Sequence, residues 1–135
     1  MNTNDILTQA CDQLIISIEG LKKGSALLKI GLFGGELTLE HRQDCCESVM
    51  IEDFEGDIED LVGHRLVSAE EVVNGDGKRH KGKEPDYGES TTWTFYRLRT
   101  TGGDLWVRWL GESNGYYSER VYVNWKPNGG LEEAA

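Results

Sequence analysis

The chain has 135 residues, 38% of them hydrophobic, which suits one domain with one modest core. Its 17 glycines against 2 prolines fit short tight turns and exclude a Pro-rich disordered chain. Net charge is −10, and nearly all of that excess falls between Glu40 and Glu71, where eleven acids stand against two arginines. Such a field repels nucleic-acid phosphates and anionic membrane surfaces and favours basic partners.

From the N-terminus, Thr3 or Asn4 is positioned to cap a short helix carrying Ile6, Leu7 and Ala10. Leu14 to Ile18 reads as a strand, because β-branched residues dominate and Gly20 follows. Ala26 to Leu32 is a second strand, and Gly34-Gly35 a hairpin turn. Glu36 to His41 alternates strictly, with Leu37, Leu39 and His41 sharing one face, so His41 is expected to point inward. Val49 to Phe54 is another strand, and Asp57 caps a helical turn from Ile58 to Val62 that Gly63 stops. Arg65 to Val73 follows as a strand. A polar segment of about 75–90 reads as a mobile loop, basic at its start. Thr91 to Thr100, Leu105 to Leu110 and Val121 to Trp125 alternate as strands and read as a three-stranded antiparallel meander. The whole is expected to be a mainly β (α+β at most) antiparallel sheet meander with one or two short helices, compact over 1–127, with a tail at 128–135.

His41-Arg42-Gln43-Asp44-Cys45-Cys46-Glu47 concentrates the most chemistry: a histidine, two adjacent thiols and two carboxylates at a strand end. As a metal site its candidates are His41, Asp44, Cys45 and Cys46. Adjacent cysteines fit one tetrahedral ion poorly, and there is no Cys-x-x-Cys. As a catalytic thiol, Cys45 or Cys46 sits among Asp44, Glu47, Glu52 and Asp53, which oppose a thiolate. Neighbouring cysteines are not expected to pair with each other. With no signal segment and no apolar run near ~18 residues, the reading is of a cytoplasmic protein with reduced thiols.

The second singular stretch is Gly111 to Ser118, in which Asn114-Gly115 forms a turn and Tyr116 and Tyr117 offer contact surface. Trp109, Ser113, Asn114, Tyr116 and Tyr117 are the candidate aromatic and polar binding residues. Arg97, Arg99 and Arg108 lie on neighbouring strands, where they form an anion-binding patch or pair with the acidic block. No phosphate-binding glycine loop, nucleophile elbow or zinc-protease motif occurs.

Three strings stand out together: the 41–47 segment, Thr92-Trp93-Thr94-Phe95-Tyr96, and Trp109 through Ser118. With them the chain, from about Leu14 to Val123, resembles an uncharacterised family of small phage, prophage and bacterial proteins. No activity is established for that family, so no residue role is carried over. The resemblance implies context only, since small acidic phage proteins often bind and block host factors.

The reading favoured by the sequence is a small acidic, non-enzymatic binding protein, plausible as a phage-encoded anti-defence inhibitor of a host protein with a basic surface. It needs no cofactor and has no direct nucleic-acid or membrane partner. Its acidic face would comprise Glu47, Glu52, Asp53, Glu55, Asp57, Glu59 and Asp60. One alternative is a small-molecule or nucleotide binder stacking ligand on Trp93, Trp109, Tyr116 and Tyr117, with Arg97, Arg99 or Arg108 on phosphate. Another is a metal- or thiol-dependent enzyme centred on His41, Asp44, Cys45 and Cys46. Target and oligomeric state are not encoded in any motif.

Overall fold

A computed structural model describes residues 2–74 and 90–128. Helix α1 (Thr3–Gln9) is followed by strands β1 (Gln13–Glu19), β2 (Leu27–Leu32), β3 (Gly35–Glu40) and β4 (Ser48–Glu55). Next come the single-turn helix α2 (Ile58–Leu61) and strands β5 (Arg65–Asn74), β6 (Ser90–Thr100), β7 (Gly103–Ser113) and β8 (Tyr122–Pro127). The architecture is mainly β and antiparallel, with the strands ordered β4-β7-β6-β5-β1-β2-β3-β8. Most of the segment expected to be a mobile loop, 75–89, and the tail beyond 128 lie outside the described residues.

The sheet folds into two halves that share one core. β1 is the corner: it pairs with β5 only at Gln13 and Leu14, then bulges and runs along β2. At the opposite side the free edge of β4 bonds the turn before β2, with Ile51 N–H donating to the Ser25 carbonyl at 2.8 Å and Gly24 N–H to that of Ile51 at 2.8 Å. Leu28, Ile30, Leu37 and Leu39 from one half and Ile51, Leu98, Val107 and Trp109 from the other therefore pack into one cluster. Helix α1 packs on β5 and β8 and adds Leu7 and Ala10 to that cluster. Its cap is Asn2, not Thr3 or Asn4: Asn2 and Asp5 form a reciprocal capping box. Asn4 instead accepts the Glu71 N–H at 2.8 Å.

The C-terminal meander holds only for its first hairpin, β6–β7. β8 does not return beside β7; it crosses to the far edge and pairs with β3, Leu37 opposite Trp125 and Leu39 opposite Val123. The other edge of β7 is taken by β4, with Met50 opposite Leu110. Alternation fixes which face a side chain occupies but not which strand lies alongside. As expected, His41 is buried, and Asp57 caps α2 by accepting the Glu59 N–H at 3.1 Å.

Leu39 is fully buried between β2 and β8, whereas Phe33 in the β2–β3 turn is 75% exposed. Leu39→Ala is expected to cost about 2–5 kcal/mol, and Phe33→Ser to stay within about 0.5 kcal/mol. Urea unfolding midpoints of the two variants check this.

Candidate functional site

The strand-end motif folds into a hydrogen-bonded knot around the buried Glu47 carboxylate. His41 ends the chain's run along β3, and Glu47 sits just before β4. His41 Nε2 lies 2.8 Å from Glu47 Oε2, and His41 Nδ1 lies 2.7 Å from the Arg120 carbonyl oxygen. Both ring nitrogens thus have an oxygen partner. The Asp44 N–H donates to Glu47 Oε2 at 2.7 Å, and the Cys45 N–H to Oε1 at 2.9 Å. The Gln43 side-chain amide donates to the Cys45 and Glu47 carbonyls. Donation from the Cys45 amide, then from His41 and the Asp44 amide, holds the Glu47 carboxyl down from 4.5 to about 2 against the opposing effect of desolvation.

This geometry corrects two expectations. Glu47 is an interior anion, not part of an acidic face. Cys45 and Cys46 are joined to each other as a disulfide, so neither presents a free thiol. Both His41 nitrogens are engaged within the protein, and among the described residues no group of three His, Cys, Asp or Glu side chains is arranged to hold a metal ion. Cys11 stands apart on the turn after α1, where burial and then the neighbouring Asp12 charge push its thiol up.

A cavity of about 300 Å³ adjoins the knot through Arg120 and is lined by Glu71, Thr92, Thr94, Tyr117, Glu119 and Arg120, among others. β6 builds its wall. Tyr96 and Leu98 face the core, and the same face turns polar at Thr94 and Thr92. Glu119 is buried and accepts the Thr92 hydroxyl at 2.6 Å and the Ser113 hydroxyl. Ser113 also accepts the Gly115 N–H at 2.9 Å, which shapes the Asn114-Gly115 turn. Glu71 accepts the Tyr96 hydroxyl at 2.6 Å. Gly111 lets the Glu119 segment pass close, because a Cβ there would lie 2.8 Å from both the Cβ and the carbonyl oxygen of Glu119. The three strings singled out in the sequence, 41–47, 92–96 and 109–118, therefore meet at this corner. Sequence reasoning missed Glu119, Arg120 and Glu71, which carry no motif; the one available signal was the polar break in β6 at Thr92 and Thr94.

The candidate aromatic loop is only partly a surface. Trp109 is fully buried, and Ser113 is buried against Glu119. Asn114 and Tyr116 are exposed, and Tyr117 meets Tyr116 edge-on at 5.0 Å while lining the cavity. The proposed stacking set is therefore dispersed, with Trp93 only 8% exposed and covered by Arg108 at 5.1 Å.

The outer face of the β4-β7-β6-β5 half carries the remaining candidates in cross-strand rows. One row runs Glu70, Arg97, Trp106, Glu55; the next runs Val72, Phe95, Arg108, Asp53. Arg108 lies between the Trp93 and Trp106 rings, its Nε donates to Glu52 Oε1 at 2.7 Å, and it reaches Asp53 at 3.9 Å. Arg99 lies 3.9 Å from Asp104, and Lys23 3.8 Å from Asp53. Arg108 and Arg99 thus pair with acids, and Arg97 lines the groove described next. Glu52 and Asp53 are committed to these pairs, whereas Glu55, Asp57, Glu59 and Asp60 are exposed at the β4–α2 corner. There a groove of about 680 Å³ has Phe95 and Trp106 in its lining with Glu55, Glu70, Asp104 and Arg97.

Among the described residues no helix is long and apolar enough to cross a membrane. A family model described as a domain of unknown function (DUF7448) matches residues 14–123. No curated protein and no solved structure matches the chain.

Because its folded carboxyl is depressed, Glu47 stabilises the protein fully above about pH 4.5, and that stabilisation is lost as pH falls towards about 2. Glu47→Gln should be less stable at neutral pH and should lack this acid-sensitive component; unfolding midpoints of both proteins across the range from pH 7 to 2 measure it. Gly111→Ala should destabilise by about 1–3 kcal/mol through overpacking against Glu119, read by thermal unfolding.

Proposed function

We propose, for a chain that belongs to the DUF7448 family of unknown function, that it is a non-enzymatic binding protein for a partner with a basic surface. The observation that supports this most is the groove at the β4–α2 corner. Its lining combines the Phe95 and Trp106 rings with three carboxylates, and the exposed Asp57, Glu59 and Asp60 of the adjoining α2 segment extend the same negative surface. α2 packs against β7, which fixes this ridge beside the strand that carries Trp106.

Lysine and arginine side chains suit such a groove on two counts. Their heads meet carboxylates, and their stems and cations lie over aromatic rings. Arg97 adds one positive charge to the lining, and Arg108 is already balanced by Glu52. The acidic surface of this reading is therefore Glu55, Asp57, Glu59, Asp60, Glu70 and Asp104, a smaller set than the sequence suggested. A narrower version, a phage-encoded protein that blocks a host defence factor in the bacterial cytoplasm, rests on the sequence resemblance alone.

Titration with a lysine- and arginine-rich peptide, followed by tryptophan emission, tests the reading. Binding should perturb Trp106 and weaken steeply as salt rises, because the Debye length contracts to ~3 Å at 1 M. The triple change Asp57→Asn, Glu59→Gln, Asp60→Asn should weaken it several-fold while keeping the α2 cap, since asparagine caps as well as aspartate. Binding that is indifferent to ~0.5 M salt, or unaltered in Trp106→Ala, contradicts it.

A further inference from the structure

The cavity beside the knot holds carboxylates that no cation among the described residues pairs with directly. Glu119 is buried, yet its two oxygens accept hydrogen bonds from the neutral hydroxyls of Thr92 and Ser113. Among the described residues no Lys, Arg or His nitrogen lies within 4 Å of it. Glu71 likewise takes its side-chain hydrogen bond from the neutral Tyr96 hydroxyl. Contrast Glu47, whose carboxylate meets His41 directly. Buried carboxylates are ordinarily matched by a cation, and each Glu119 oxygen has capacity for a further donor.

Among the described residues, the lining of the same cavity contains one positive group. Arg120 is in its lining, and its charge is near enough to Tyr96 to offset part of the upward push that burial and Glu71 exert on that phenol. Ser90, Thr94 and Tyr117 add neutral polar groups to the wall. A volume of about 300 Å³ is at the small end of ligand sites and suits a molecule the size of an amino acid.

We infer that this cavity is a binding site for a small zwitterion of the α-amino-acid class, with the ligand ammonium on Glu119 and Glu71 and its carboxylate on Arg120. Two acids against one arginine favour ligands with a second cationic group, so lysine should bind more tightly than alanine. The site is separate from the docking groove and stands or falls independently of it.

Calorimetric titration with alanine, lysine, methylamine and acetate tests the inference on the full chain. Alanine and lysine should bind at millimolar or lower concentration, methylamine more weakly, and acetate not at all. Glu119→Gln should weaken both amino acids ~10-fold or more, as expected for loss of a charge-assisted contact. Arg120→Gln should reduce the affinity for alanine towards that for methylamine while leaving methylamine unchanged. Glu71→Gln, at a half-buried position, gives the same reading as Glu119→Gln if that variant folds poorly. No binding by either amino acid, or an affinity in the Glu119→Gln and Glu71→Gln proteins unchanged from that of the parent, overturns the inference.

Discussion

The buried Glu47 carboxylate is the constraint on which the rest of this structure depends. An anion inside a β-protein is tolerated only when donors surround it; here His41 and the Asp44 and Cys45 amides supply them, and His41 in turn reaches a carbonyl from a distant part of the chain. His41 follows β3 in one half of the sheet, Glu47 precedes β4 in the other, and the Arg120 carbonyl belongs to the approach to β8. One hydrogen-bonded chain, carbonyl to imidazole to carboxylate to two amides, therefore ties both halves at a single corner. Because the Arg120 backbone is held there, its neighbour Glu119 is delivered to Thr92 and Ser113, and the cavity wall is completed.

The two surfaces that could bind partners arise from the two faces of the same β6–β7 hairpin. Side chains alternate, so Tyr96 and Thr94 belong to the inner face, while Phe95 and Arg97 belong to the outer one. On the inner face, apolar residues give way to hydroxyls towards the Ser90–Ser113 end, which opens the cavity. On the outer face, aromatic and charged residues intersperse in rows that no described element covers. Arg108 shows how those rows are kept: two indole rings flank it, and Glu52 balances it.

Local features were legible in the sequence because local physics decides them. The alternation of Leu37, Leu39 and His41 placed the histidine inside, and Asp57 capped α2 as its position before Ile58 implies. Non-local choices were not legible. Nothing in Val121 to Trp125 says that β3 rather than β7 is the neighbour. Glu47 reads as one acid in an acidic block until His41 folds over it, and Trp109 reads as a surface aromatic beside its loop until the two halves close on it. The adjacent pairing of Cys45 with Cys46 ran against the general spacing preference of disulfides. Of the candidate site, the strings that meet at the corner were visible in the sequence, but Glu71, Glu119 and Arg120 were not, since a lone glutamate or arginine carries no pattern.

Amide hydrogen exchange of Asp44 and Cys45 probes the knot most directly. Both residues are surface-exposed and lie in a loop, yet their N–H groups are bonded to the buried Glu47 carboxylate. They should exchange as slowly as amides inside β3, and in Glu47→Gln they should lose that protection, whereas the His41 amide, bonded to the Ala26 carbonyl, should keep it. Exchange in the parent protein as fast as that of an open loop would contradict the claim that this carboxylate organises the corner.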